Sequence, residues 1–197
     1  ISTCESDITV QDNMMPAALC MDMTVNLDAG GMASITTATV DNGSGDNCSF
    51  AMMVQPQTFG CGDLGSNIAT LSVTDASGNN SMCTADVTVM DNIAPVAVCR
   101  DVTTLLNTGG STSVTANTYN DGSSDNCQVA SLNASQTSFG CGDAGSNIVS
   151  LTVTDGAGNT DICTSNVLVQ DVTAPTASCM DATAVSYTHL TLPTIVR

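Results

Sequence analysis

Thr58–Asn79, TFGCGDLGSNIATLSVTDASGN, returns almost unchanged at Ser138–Asn159 as SFGCGDAGSNIVSLTVTDGAGN. A spacing that long, with cysteines at fixed places, makes each copy a whole small domain and not a 20–45-residue solenoid turn. Within the stretch, Ala69, Leu71 and Val73 alternate with Thr70, Ser72 and Thr74, and Val149, Leu151 and Val153 with Ser150, Thr152 and Thr154. This period of two is that of a half-buried strand. Cys83, Ala85, Val87 and Val89 continue it after the turn DASGNN, as do Cys163, Ser165, Val167 and Val169 after DGAGNT. Asp, Gly and Asn in both turns supply the positive φ and local side-chain bonds of a hairpin.

Outward from this hairpin the copies stay in register. Each opens at a proline, Pro16 or Pro95, followed by AALC or VAVC and a short strand, Met23-Val25-Leu27 or Val102-Thr104-Leu106. The cysteine and that strand differ in parity, which predicts a kink between them. DAGG and NTGG turns lead into expected strands over 34–40 and 113–118, then a DNC loop, a middle strand around Phe50–Val54 and an FGCG corner. About seven short strands per copy and no helical periodicity predict an all-β chain of tandem antiparallel sandwiches. The expected division is 1–14, the last strand of a preceding repeat; 15–93 and 94–173, two full repeats; 174–185, the first strand of a third; and 186–197, a divergent tail. That tail, SYTHLTLPTIVR, holds the sole histidine and resembles translated adapter sequence, not a continuation of the repeat. Because residue 1 falls inside a repeat, the sequence reads as an excerpt of a longer chain.

Composition narrows the function. Nineteen acidic residues face two arginines and no lysine, a formal charge of −17, which argues against a phosphate-tracking nucleic-acid surface. No segment approaches a membrane span. Carboxylates without cationic partners must be solvated, repel one another or share hard cations such as calcium. The calcium candidates are the junction aspartates Asp91 and Asp171, the turn residues Asp63, Asp75, Asp143 and Asp155, and the opening residues Asp22 and Asp101. Three Phe, two Tyr and no Trp leave each core short of large side chains, and ten cysteines are the expected supplement. Four per copy, with no CxxC pairs and almost no histidine, predict disulfides and an oxidising, extracellular location. Four cysteines allow three connectivities. The expected one joins first strand to last, Cys20–Cys83 and Cys99–Cys163, and the nearer pairs Cys48–Cys61 and Cys127–Cys141.

Proline and cysteine opening, DNC loop, FGCG corner, VTDxxGN, cysteine-bearing strand and an exit of the form VxDxxAP (Val89–Pro95, Val169–Pro175) together resemble hyalin-repeat (HYR)-like immunoglobulin-like domains. The likeness is greatest to the four-cysteine versions arrayed in large secreted bacterial surface proteins. It covers residues 1 to about 185, and implies adhesion, surface architecture or fibre formation without catalysis. The junctions are also similar to those of cadherins, though poorer in acids. The absence of lysine and of a GxSxG serine agrees with a non-enzymatic chain. Expected partners are further copies of the repeat, in cis or by donation of strand 1–12 within a filament. Covalent glycans are a further candidate, at the N-x-S sequons Asn42, Asn47, Asn79 and Asn133 or on the outward hydroxyl rows Thr70, Thr74, Thr84, Thr152 and Thr154. The alternative function is a module that binds glycan or a partner protein; the scarcity of aromatic stacking platforms weighs against glycan.

Overall fold

The computed structural model describes residues 3–180. The first unit contains β1 (Met23–Asn26), β2 (Met32–Ser34), the helical turn α1 (Thr37–Val40), β3 (Phe50–Gln55), β4 (Thr58–Gly60), β5 (Gly65–Asp75) and β6 (Asn80–Met90). The second repeats it: β7 (Val102–Leu105), β8 (Ser111–Ser113), α2 (Ala116–Tyr119), β9 (Val129–Ala134), β10 (Ser138–Gly140), β11 (Gly145–Asp155) and β12 (Thr160–Gln170). The larger sheet runs β1-β6-β5-β3, the smaller is β2-β4, and the second unit gives β7-β12-β11-β9 and β8-β10. Pairing is antiparallel except at the edge, where β1 runs parallel to β6 and β7 to β12.

The alternation read from sequence is what layers each unit. Ala69, Leu71 and Val73 of β5 and Ala85, Val87 and Val89 of β6 pack inward against Leu27, Ile35, Val40, Val54 and Phe59. Their outward neighbours stay wet, so each sheet has one dry face. The second core is built the same way, with Tyr119 standing where the first has Val40; its buried hydroxyl donates to Gln136 O at 3.1 Å. At the hairpin tip Asp75 Oδ1 accepts from the amides of Ser77 and Asn79, and Gly78 takes φ +91°. That φ explains why the turn needs its glycine.

Several elements differ from the sequence reading. The strand expected over 34–40 stops at Ser34 and yields to α1, as the one over 113–118 yields to α2. Thr39 Oγ1 bonds both the amide and the carbonyl of Thr36. Local hydroxyl bonds of this kind outweigh threonine's β-propensity. Each unit has six strands, and the opening segment joins by isolated bridges, Ala17 to Gly45 and Cys20 to Asp41. This places the expected kink between Cys20 and β1. Residues 3–14 are mostly exposed and carry no strand; their counterparts in β6 and β12 have pairing partners on both sides, and a lone strand lacks the hydrogen bonds that hold one. Residues 171–180 are likewise without strand, and the tail 186–197 lies outside the described residues.

Candidate functional site

Three disulfides are present: Cys20–Cys83, Cys99–Cys163 and Cys61–Cys127. The first two lie within a unit and join the opening segment to the last strand. The third corrects the expected pairings Cys48–Cys61 and Cys127–Cys141, for it crosses from one unit to the next. Cys48 is close to Cys61 along the chain but not in space. Cys48 sits at the leading end of the unit, where Asn47 Nδ2 donates to Asp12; Cys61 sits at the trailing end, beside Gly31. Between them β3 alone spans roughly 20 Å, well beyond the separation a disulfide tolerates. Cys48 and Cys141, with Cys4 and Cys179, are free and exposed.

Around the Cys61–Cys127 bond the units are tied by side chains of the DNC loop and the hairpin tip. Asn126 Nδ2 donates to Asp28 O of the first unit and to Asp91 Oδ1 of the connecting segment, at 3.3 and 3.2 Å. Asn159 Nδ2 donates to Asp91 O and Ile93 O while bonding Asp155 Oδ2. A cleft of about 310 Å³ opens beside the bond, lined by Cys61, Leu64, Asp91, Cys127, Gln128 and Ala157. The close approach has a backbone signature. A Cβ on Gly31, φ +71°, would lie 2.7 Å from Cys61 Sγ and 2.8 Å from Asn126 O.

Of the candidate calcium ligands, the structure brings only Asp91 into an acidic cluster. Its carboxylate, that of Asp125 and Cys127 Sγ lie within 4.8 Å of one another, and Asp12, Asp46 and Cys48 repeat the arrangement at the leading end. The other candidates are engaged locally. Asp22 and Asp101 accept the amides of Asp86 and Asn166; Asp63 and Asp143 those of Gly60 and Gly140; Asp171 that of Thr173. Asp75 and Asp155 hold their hairpin tips. Burial pushes the Asp155 carboxyl up. Bonds from the Asn159 side chain and from the amides of Asn159, Gly158 and Ala157 outweigh that and hold it below its ordinary range. Asp125 and Asn126 are not among the sequence candidates; their signal there is the Asp-Asn-Cys that recurs in both copies.

The glycan candidates divide. Asn47 and Asn79 use their amide nitrogens in bonds to Asp12, and Asn79 also to Asp75, so a glycan there would displace those bonds. Asn42, Asn133 and Thr84 are exposed, while Thr70, Thr74, Thr152 and Thr154 are half-buried on the outer sheet faces.

No protein-family model matches the chain, and no curated protein does. Among solved structures it is similar to human mucin-like protocadherin EC1-2, with TM-score 0.42 and 10% identity over 80% of this chain and 98% of that one. It is similar too to human protocadherin-24 EC1-2, with TM-score 0.42 and 13% identity over 83% and 100% of the two chains. Drosophila N-cadherin EC1-4 gives TM-score 0.40 and 10% identity over 80% of this chain and 50% of that one. Similarity of this degree is not evidence of shared function.

Proposed function

We propose that the chain is a non-enzymatic extracellular structural element whose repeats are bolted end to end by disulfides into a stalk or filament. The observation that carries this reading is the Cys61–Cys127 bond between units. A linker alone leaves neighbouring domains free to swing; a second covalent tie beside it removes most of that freedom. The FGCG cysteine of one unit bonds the DNC cysteine of the next, and Cys141 and Cys48 occupy those same two positions at the trailing and leading ends. Cys141 Sγ rests against Gly110 O as Cys61 Sγ rests against Gly31 O. Each outer end thus presents half of the joint, and a heterologous contact of this kind propagates into an open filament. The partner is a further copy of the repeat, in the same polypeptide or in another molecule.

The test is to incubate the purified chain with a small-molecule disulfide. Each Cys48–Cys141 bond removes two electrons from two thiols, which lose their protons, and reduces the added disulfide to two thiols. A ladder on non-reducing gels, with a mapped Cys48–Cys141 peptide that is absent from C48S and C141S variants, is the expected result. Chains that stay monomeric with both thiols capped singly, or a map joining Cys48 to Cys61, would overturn the reading.

A further inference from the structure

Among the described residues, four buried side-chain polar atoms have no hydrogen-bond partner: Asp46 Oδ1, Asp91 Oδ2, Asp125 Oδ1 and Asn126 Oδ1. All four are oxygens; Asp46, Asp125 and Asn126 belong to the two DNC loops, and Asp91 to the connecting segment beside the second of them. A buried acceptor left unpaired is costly, more so when charged, so three gathered on residues of one joint call for a common cause. Three of them belong to residues at the joint, where a carboxylate oxygen of Asp91 and one of Asp125 lie within 4.8 Å of each other. Asp91 is only 6% exposed, and its Oδ1 is already taken by the Ile93 amide and Asn126 Nδ2. Asp125 Oδ2 accepts from the amides of Cys127 and Gln128, leaving Oδ1. The orientation of Asn126 is fixed because both partners of its nitrogen, Asp28 O and Asp91 Oδ1, are acceptors.

We infer that Asp91, Asp125 and Asn126 form a binding site for a hard divalent cation, calcium, at the joint between the units. Two carboxylates a few ångströms apart repel each other, and a cation between them relieves that repulsion. The chain has no lysine to supply it, and among the described residues the one arginine, Arg100, spends its Nε on Thr118 O elsewhere. The free atoms are oxygens, and Cys127 Sγ is consumed by the disulfide, so the donor set selects a hard ion over a thiolate-seeking one. Three protein oxygens fall short of the six to eight calcium takes, so water completes the shell and affinity is in the millimolar range of extracellular modules, roughly 10⁻⁴–10⁻³ M. The Asp12–Asp46 cluster, with a single orphaned oxygen, binds more weakly. The ion's role in stiffening the joint rests on the structural reading above; the site itself does not.

The experiment uses the full oxidised chain with calcium chloride up to about 10 mM, read by titration calorimetry and by melting temperature, with D125N and D46N beside the parent and Cys61–Cys127 verified by peptide mapping in every sample. Calcium should raise the melting temperature of the parent. D125N should weaken the tighter site at least tenfold, while D46N leaves it intact. In chelator D125N should melt above the parent, since its amide donates to Asp91 Oδ2 where two carboxylates had faced each other, and calcium should reverse that order. A merely structural Asp125 would shift both conditions alike. Absence of calcium heat, or equal calcium responses in parent and D125N, sinks the cation site; with Cys61–Cys127 still mapped, the covalent joint survives that outcome.

Discussion

Gly31 and Gly110 hold the same place in the two units and differ in what lies beyond them. Both take positive φ, and a Cβ on either would meet a cysteine sulfur at 2.7 Å; only Gly31 also faces a neighbouring backbone, Asn126 O of the second unit at 2.8 Å. The corner of the first unit is therefore buried in a joint, while the equivalent corner of the second is a surface. One sequence motif serves both, so the joint proposed above would recur with the repeat.

The largest effect that separates the two corners comes from their cysteines. Cys61 and Cys127 are 66 residues apart, and on the chain-entropy model a loop of that size contributes about 4 kcal/mol, less any strain. C61S/C127S should lose most of that in urea unfolding under non-reducing conditions, while C48S/C141S leaves the isolated molecule unchanged. Equal losses would show that the two pairs are not differently placed. The glycines sharpen the same contrast. G110A should cost about 1–2 kcal/mol for the left-handed backbone alone, and G31A about 2 kcal/mol more, since the Asn126 carbonyl cannot swing aside as a side chain can.

Why the sequence disclosed the sandwich but not the joint follows from the reach of each signal. Ala69-Leu71-Val73 and Ala85-Val87-Val89 show their burial through the neighbours two residues away, and the hairpin tip through Asp75, Gly78 and Asn79, all local features. The Cys20–Cys83 link was legible because first and last strands are neighbours in many sandwiches. Cys61 gave no such cue. Its nearness to Cys48 in the chain suggested a partner, yet β3 and β4 carry the two to opposite ends, and the true partner belongs to another copy. The acidic cluster is hidden for the same reason: Asp91 is visible as a junction acid, but Asp125 and Asn126 come from a loop that reaches the junction only when two units are docked. Threonine misled at Thr36–Thr39, where side-chain bonds to the backbone override strand preference.

A smaller difference is expected between Asn126 and Asn47. Asn126 bridges Asp28 and Asp91 across the joint, whereas Asn47 Nδ2 reaches Asp12 on an exposed surface. N126A should therefore cost about 1–2 kcal/mol and N47A only a few tenths, since Asn126 makes two bonds, one of them part-buried and to a carboxylate, where Asn47 makes an exposed one. Chemical denaturation of the two variants at one pH measures it. If N47A costs as much, the leading end is already as ordered as the joint, and the contrast between them weakens.

The smallest effect is one of pH, and it tests the hairpin tip that grips the joint. Asp155 binds Asn159, whose nitrogen in turn holds Asp91 O and Ile93 O, so the carboxylate orients the clamp without touching the connecting segment. Its folded pKa is depressed, because the bonds from Asn159 and the turn amides prevail over burial. The sign follows: the carboxylate's stabilisation is complete above the unfolded value of about 4 and is lost as the pH falls through the lower folded value. D155N keeps an oxygen for the amides but turns an NH2 toward Asn159 Nδ2, two donors facing each other. The parent should melt a few degrees above D155N at neutral pH, on the order of 2–4 °C for 1 kcal/mol in a chain of this size, and the gap should close below about pH 4. A gap that stays constant through the acid range would mean that the turn is held by its backbone alone, and that Asn159 needs no charged neighbour to keep its grip.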